Sequence, residues 1–373
     1  MTLSLLAERE QLIEAAISLD PPDRVPVVYM AEAFSPRFVG MSMADYVNDP
    51  QAPVEAALAA HERLGGYDAQ NFVPGGLVGP LISSGWLTRV RLPGRELPDD
   101  ALWQLDEGED MTVEEYDRVL SEGWPPVYES ILPRVLDVDE LADALAWLEA
   151  NFAGIVAKFR ARGIAPMAGS AIASPFEILS GARSMGKFYM DLYRRPELVS
   201  RVMDKMLPGV IADTLAAAQA SGLRGVWVGG WRSAPGMLSE PLWMEFVLPH
   251  LKIMVHALVD AGLNPILHFD QDWTRDLVHL RELPARKCIL QLDGMTDIRR
   301  AKEVLGDHMA IMGDVPPALL VTGSAEDVRV YVRDLIRDIG DRGFLLAPGC
   351  DAPINARPEN MQALCDAGHE FGS

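Results

Sequence analysis

The sequence predicts an α/β protein folded as a (β/α)8 barrel, the TIM-barrel architecture, with an inserted β-hairpin and helical segment after the second strand. Short apolar runs alternate with longer helical patterns, which indicates a parallel sheet covered on both faces. Eight such runs occur, and eight strands close this barrel. A doubly wound open sheet is the alternative, but no run is followed by its G-x-G-x-x-G signature. The predicted strands span residues 25–30, 69–73, 164–168, 225–228, 265–268, 288–292, 309–312 and 344–347.

We expect one barrel domain over residues 1–373, with two additions to the regular repeat. Residues 3–18 form an amphipathic pattern with early acidic residues, which favours a helix over a signal peptide. Residues 77–147 interrupt the repeat: 88–105 alternate around a Pro-Gly pair, which predicts a hairpin, and 111–124 predict an acidic helix. This insertion is interpreted as a lid or docking surface, or as a structural extension.

Composition excludes several classes of protein. At 373 residues and 49% hydrophobic, the chain can bury a large core. No apolar run reaches the ~18–20 residues of a membrane span, so no membrane partner is expected. Three cysteines cannot make a disulfide framework, which favours the cytoplasm. A net charge of -21 repels phosphate backbones, so no nucleic acid is expected, while a homodimer is left open.

His268, Asp270 and Cys350 form the predicted metal site. His268 ends the apolar run 264–268, and Cys350 follows the run 343–347 in an Ala-Pro-Gly-Cys-Asp sequence. Because the carboxyl ends of the strands meet at one mouth of the barrel, we expect these side chains to converge. An imidazole, a carboxylate and a thiolate suit zinc and leave one position open for chemistry. The alternatives are a structural histidine and a buried, apolar cysteine.

Three carboxylates beyond the ligands are predicted to serve catalysis. Glu32, Asp293 and Asp314 each follow a predicted strand end and therefore face the same mouth. The alternatives are that the two aspartates cap the following helices, since aspartate is favoured at that position, and that Glu32 pairs with Arg37.

Substrate contacts are predicted for the remaining polar and aromatic residues at strand ends, Tyr29, Asn71, Trp231 and Trp273. The tryptophans would wall a pocket for a flat or apolar substrate, although ordinary packing explains them equally well. Residues 181–187 match G-x-x-x-x-G-K, but Phe188 replaces the hydroxyl that reaches magnesium in phosphate-binding loops. No phosphate site is expected there.

The chain resembles the uroporphyrinogen decarboxylase superfamily and, within it, the corrinoid-dependent methyltransferases. The resemblance covers nearly the whole length and is strongest over residues 268–360. Its densest stretches are His-Phe-Asp-Gln-Asp-Trp at 268–273 and the segments 282–294, 297–309, 312–316 and 348–350. It implies a (β/α)8 barrel. The arginine-rich N-terminal motif of the decarboxylases is absent, since Val-Val-Tyr-Met-Ala-Glu-Ala-Phe stands at 27–34.

The resemblance also implies a zinc site with one departure. Thiol-methylating members hold zinc with His-x-Cys and a distant Cys; here His268 and Cys350 match, but Asp270 replaces the first cysteine. The His-x-Asp-x-x-Trp version is similar to the substrate-side methyltransferases of O-demethylase systems. This implies transfer of a methyl group from a methoxylated aromatic to cob(I)alamin. Because the sequence has no D-x-H-x-x-G motif, the cobalamin would come from a partner corrinoid protein.

Two other functions remain open at this point. One is a metal-independent decarboxylase or other lyase that uses Asp293 and Asp314 as proton donors. The other is a non-catalytic subunit that binds a corrinoid protein and has lost its metal site.

Overall fold

Eight parallel strands form a closed ring in the computed structural model, which describes residues 4–372. Neighbouring strands follow one another in chain order, and only the hairpin strands are skipped. The first and last strands meet through a parallel bridge between Val27 and Leu346, and the amide of Leu346 donates to the carbonyl of Pro26 at 2.9 Å. The prediction of a (β/α)8 barrel is therefore confirmed, as are all eight strands.

The barrel strands differ in length. β1 is short, and Pro26, just before it, has no amide proton to extend the ladder in that direction. β5 is long and carries an irregularity in register between Ala168 and Ser170. The strands are β1 Val28–Tyr29, β2 Ala69–Phe72, β3 Arg89–Arg91, β4 Gln104–Asp106, β5 Ala165–Ala173, β6 Gly225–Gly230, β7 Asn264–Phe269, β8 Ile289–Leu292, β9 Ala310–Val315 and β10 Phe344–Pro348.

Helices surround the ring and supply the outer layer of the core. They are α1 Leu5–Ser18, α2 Phe34–Val39, α3 Met43–Asn48, α4 Ala52–Leu64, α5 Val78–Trp86, α6 Glu114–Glu122, α7 Trp124–Val135, α8 Val138–Ala161, α9 Pro175–Ala182, α10 Met185–Arg194, α11 Pro196–Ser221, α12 Glu240–Phe246, α13 Leu248–Asp260, α14 Ile298–Leu305, α15 Pro317–Thr322, α16 Ala325–Ile339 and α17 Pro358–Phe371, with 3-10 turns at Pro235–Met237 and Thr274–Glu282. Within the described range, no single helix is long and apolar enough to cross a membrane. Only α12 and α13 together, across a 41° bend, reach that length and composition.

Helix α1 closes the amino-terminal end of the barrel. Ser4 caps it by accepting the amide of Ala7 at 3.3 Å, so the helix predicted over 3–18 is observed from residue 5, and residue 3 lies outside the described residues. Its apolar residues recur at helical spacing and pack against the inner side chains of the barrel, among them Val28, Ala69 and Ile266. Asp68, directly before β2, links the elements at the same end of the barrel. Its carboxylate accepts hydrogen bonds from Arg9, Arg24 and the amide of Val27 at 2.7–3.0 Å.

The insertion contains the predicted hairpin, β3 paired antiparallel with β4, and the predicted acidic helix, which is α6. Its predicted end, at about residue 147, lies inside α8, which runs without a break from Val138 to Ala161 and returns the chain to the barrel. Acidic side chains of the insertion are held by arginines of the barrel layer. Arg183 binds Glu109 at 2.5 Å, and Arg232 binds Glu107 at 2.7 Å.

Candidate metal centre at the carboxyl ends of the strands

The structure brings the three predicted ligands together at the mouth of the barrel. Nε2 of His268 lies 3.6 Å from Sγ of Cys350 and 3.4 Å from Oδ1 of Asp270, and Sγ of Cys350 lies 3.8 Å from that same oxygen. His268 is buried, whereas Asp270 and Cys350 are half-buried and reach the surface. One imidazole nitrogen, one carboxylate oxygen and one sulfur thus face a common centre that is open on one side.

The two residues on the β7 side are positioned by packing and by backbone bonds. The ring of His268 stacks on Trp227 of β6 with centroids 5.0 Å apart and planes inclined by 24°. The amide of Asp270 donates to the carbonyl of Gly230 at 3.0 Å, and Nε1 of Trp273 donates to the carbonyl of Asp270 at 2.8 Å. These contacts hold the loop in the shape that turns both side chains toward Cys350.

The electrostatics of the cluster favour a positive charge at its centre. Burial alone would lower the pKa of His268, but the hydrogen bonds with Asp270 and Cys350 and their negative charge outweigh it and raise that pKa to about 10. A divalent cation bound between these side chains would supply the same positive charge. The N, O and S donor set fits zinc better than magnesium or calcium, which prefer oxygen ligands.

The loop that carries Cys350 is tied to the loop after β1. Asp351 accepts the amides of Glu32 at 2.5 Å and Ala33 at 3.0 Å, and the amide of Ala352 donates to the carbonyl of Met30 at 3.0 Å. Burial and the neighbouring negative charge of Asp351 raise the pKa of Glu32 to about 8. Glu32 therefore lies beside the Cys350 loop as a carboxyl that keeps its proton at neutral pH. Within residues 4–372, it belongs neither to the ligand cluster nor to an ion pair with Arg37.

The other two predicted catalytic carboxylates are engaged by the protein itself. Asp293 accepts the amides of Gln271 and Met295, both at 2.8 Å, and so joins the loops that follow β7 and β8. Asp314 is buried and accepts the hydroxyl of Tyr331 at 2.8 Å. Neither residue caps a helix, so that alternative is wrong for both; the cap of α14 is Asp297.

The ionisation of the buried Asp314 carboxyl should affect the stability of the fold in a way that depends on pH. Burial raises its pKa to about 6, so the carboxyl holds a proton more tightly in the folded than in the unfolded chain. Its contribution to stability is therefore full below about pH 4 and is lost as the pH rises through about 6. We expect Asp314→Asn to raise the free energy of unfolding at pH 8 by about 2–3 kcal/mol and to have little effect near pH 4.

Urea denaturation of both proteins at pH 4, 6 and 8 measures this difference. An unchanged gap between wild type and variant across that range would show that Asp314 ionises normally in the folded protein.

Two of the predicted substrate contacts are corrected by the structure. Tyr29 is fully buried in the layer between strands and helices, where its hydroxyl lies 2.8 Å from Oγ of Ser35. Trp273 is also fully buried and stacks on Phe269 with centroids 3.7 Å apart. Neither ring has an exposed face for a substrate. The stacking on Phe269 and the hydrogen bond to the carbonyl of Asp270 explain the presence of Trp273 without a substrate contact.

Asn71 and Trp231 lie closer to the mouth, but in different surroundings. Asn71 faces the interior of the barrel and is fully buried, with Nδ2 donating to Oε1 of Gln291 at 2.9 Å. Trp231 is half-buried, and the guanidinium of Arg232 lies 4.6 Å from its ring centroid. Of the four predicted contacts, only Trp231 keeps an exposed aromatic surface.

Glu177 is a residue at the mouth that no sequence pattern indicated. One of its oxygens accepts the amides of Trp231 and Ser233 at 2.9 Å and the hydroxyl of Ser233 at 2.6 Å. This buried carboxylate from α9 therefore fixes the loop after β6 and with it the orientation of Trp231. No local pattern indicated this role, because the partners are more than fifty positions away in sequence.

The remaining polar clusters have structural explanations. Lys187 of the G-x-x-x-x-G-K segment pairs with Glu109 of the insertion. Glu240, Asp276 and His279 also bring ligand atoms together. However, Arg275 holds both oxygens of Asp276, at 2.7 and 2.9 Å, so we assign no metal to that group.

Comparison with known proteins places the chain in a family. A model of the uroporphyrinogen decarboxylase family, URO-D, matches residues 122–371. Among curated relatives, the uroporphyrinogen decarboxylase of Syntrophotalea carbinolica is 31% identical over 184 residues, which are 48% of this chain and 51% of the relative. That of Danio rerio is 27% identical over 195 residues, 51% of each chain. The chain thus spans about half the length of the curated relatives it matches.

A solved structure resembles the whole fold. A methyltransferase from Methanosarcina mazei superposes with a TM-score of 0.75 over 97% of this chain and 98% of its own, at 18% identity. At that identity the similarity concerns the fold alone. The family match covers most of the chain, and the eight-stranded barrel agrees with it: this protein belongs to the uroporphyrinogen decarboxylase family.

Proposed function

We propose that this protein is the substrate-side methyltransferase of an O-demethylase system, which moves a methyl group from an aryl methyl ether to the cob(I)alamin of a separate corrinoid protein. The observation that carries the proposal is the convergence of His268, Asp270 and Cys350 on one open centre. The Methanosarcina mazei protein, a methyltransferase, shares the fold and supports the choice.

The ligand set suits an ether better than a thiol. Zinc held by these three residues would supply, when bound, a Lewis acid for the ether or phenolate oxygen. Asp270 contributes a hard oxygen where thiol-methylating relatives have a second thiolate, and so donates less charge to the ion. Cys350 and His268 keep the centre anchored to two different strands, while the open side admits the substrate oxygen.

Glu32 is the best candidate for the proton donor to the leaving phenolate. Its pKa of about 8 keeps the carboxyl protonated at neutral pH, and Asp351 ties its loop to that of Cys350. Asp293 and Asp314, the donors favoured from the sequence, already accept hydrogen bonds from the protein. Glu32 accordingly combines a carboxyl proton held at neutral pH with a backbone that is tied to the loop of Cys350.

Trp231 is proposed to contact the aromatic ring of the substrate. It is the predicted contact that keeps an exposed surface, and its loop is held by Glu177. The corrinoid protein would approach over the same mouth, since the methyl carbon must be accessible to its cobalt while the oxygen faces the ligands.

A reconstituted assay tests the function. Purified protein with zinc is mixed with a cob(I)alamin-loaded corrinoid protein and either a guaiacyl or a veratryl compound. We expect equal amounts of methylated corrinoid and free phenol, measured by absorption and chromatography. Partner binding without turnover on any methoxyarene would instead favour a non-catalytic subunit.

The curated relatives favour one alternative, decarboxylation, because they are uroporphyrinogen decarboxylases. As predicted from the sequence, that alternative relies on Asp293 and Asp314 as proton donors, and both carboxylates already accept hydrogen bonds from the protein. Release of carbon dioxide from a porphyrinogen or another carboxylated substrate, without methyl transfer, would establish this alternative and overturn the proposal.

A further inference from the structure

A chain of side chains crosses the interior of the barrel at the level of His268. Nδ2 of Asn71 donates to Oε1 of Gln291 at 2.9 Å, and Nε2 of Gln291 lies 2.8 Å from Sδ of Met30. Asn71 is on β2 and Gln291 on β8, four strands apart in the ring of eight, so the bond between them spans the interior. Gln291 pairs in register with His268 on the adjacent strand. The amide chain therefore lies directly beside the histidine.

Two buried polar atoms in this region have no partner within the described residues. They are Oδ1 of Asn71 and Nδ1 of His268. Asn71 is fully buried and His268 is 3% exposed, so bulk water reaches neither. A buried polar atom without a hydrogen bond costs about 1–3 kcal/mol, and such atoms are usually satisfied by ordered water.

The two atoms are chemically complementary. When Nε2 of His268 faces a cation, the proton of the imidazole is on Nδ1, which then acts as a donor. Oδ1 of Asn71 is an amide oxygen and can only accept, while the Nδ2 group of the same amide donates to Gln291 and contacts Sδ of Met30. An internal water needs at least two polar partners, and this pair supplies one donor and one acceptor.

We propose that Asn71 is a positioning residue for the metal centre: its Oδ1 holds an internal water that accepts the Nδ1 proton of His268. This role depends on the metal proposed at His268, and it makes Asn71 the residue that orients that ligand. Metal-binding histidines generally donate their second nitrogen to such a partner, which fixes the orientation of the ring and raises the basicity of the ligand. Gln291 in turn fixes the amide of Asn71.

Zinc affinity of the whole protein, measured by competition with a chromophoric chelator, tests the role of Asn71. Asn71→Leu, which has no acceptor, is expected to bind zinc about 10- to 100-fold more weakly than wild type. Asn71→Asp keeps an acceptor in the same place, and Gln291 can turn its amide to donate to it, so this variant is expected to restore binding. The matched control is Asn264→Leu, a buried asparagine that bonds the carbonyl of Lys287 at the opposite end of β7.

The outcomes separate this inference from the proposed function. Wild-type affinity in Asn71→Leu, or equal losses in Asn71→Leu and Asn264→Leu, would overturn the positioning role and leave the metal centre standing. A wild-type protein that binds no zinc would overturn both. Nuclear magnetic resonance of the zinc-loaded protein adds a second readout: the Nδ1 proton of His268 is expected to exchange slowly in wild type and rapidly in Asn71→Leu.

Discussion

Replacing His268 by alanine is expected to abolish stoichiometric zinc binding and to lower kcat/KM for methyl transfer by more than about 100-fold, the upper end of losses seen for outer-shell residues. The ring supplies the one buried ligand, and its stacking on Trp227 aims Nε2 at Cys350. Without it, Asp270 and Cys350 remain as two half-buried ligands, which is too few for a stable zinc site.

Metal analysis of the purified variant and the reconstituted demethylation assay measure these losses. His256→Ala is the matched control, because His256 is exposed on α13 and contacts only the carbonyl of Glu282 among the hydrogen bonds described for it. If the wild-type protein holds no stoichiometric zinc and His268→Ala still demethylates with a reduced corrinoid protein, the metal has no role in the reaction.

Replacing Asp68 by asparagine is expected to lower the free energy of unfolding by about 3–5 kcal/mol. The carboxylate is fully buried and balances two arginines, Arg9 from α1 and Arg24 from the following loop. Asparagine fills the same volume but carries no charge, so both guanidinium groups would lose their counter-ion in a poorly solvated place. The amide of Val27, next to the strand that closes the barrel, would lose a charged acceptor as well.

Urea denaturation at neutral pH measures this change. Asp143→Asn, on the exposed face of α8, repeats the chemical substitution without burial and is expected to change stability by less than about 0.5 kcal/mol. Equal effects of the two substitutions would mean that the buried ion pairs at this end contribute nothing to stability. Because Asp68 lies at the end of the barrel opposite to Cys350, metal affinity is expected to persist while the variant is folded.

The elements of the fold were predictable because each is encoded locally. Short runs of four to six residues, apolar in most cases and separated by helical patterns, indicated the barrel strands, and the Pro-Gly pair indicated the hairpin. The end of the insertion was not predictable in this way. No break in the pattern marks residue 147, because α8 continues through it with the same helical periodicity.

The candidate site was predictable only to the extent that it depends on strand ends. His268, Asp270 and Cys350 follow two strands whose carboxyl ends meet at one mouth, so their convergence follows from the order of the strands. Tyr29 is the last residue of β1 and Trp273 follows β7, yet both side chains point into packed layers. Tyr29 faces the helices because side chains alternate along a strand and Val28 faces the interior. The direction of Trp273 depends on the loop after β7, which position along the chain does not reveal.

The sequence alone determined the fold class, the order of the strands and the three residues that face one centre, because these depend on periodicity and on position within a repeat. Only the tertiary structure decided which polar groups are engaged: Asp293 and Asp314 by hydrogen bonds, Glu32 by the bond of its amide to Asp351, and Asn71 by its bond across the barrel. The physical reason is that hydrogen bonding and desolvation depend on neighbours distant in the chain, and no local pattern encodes those distances.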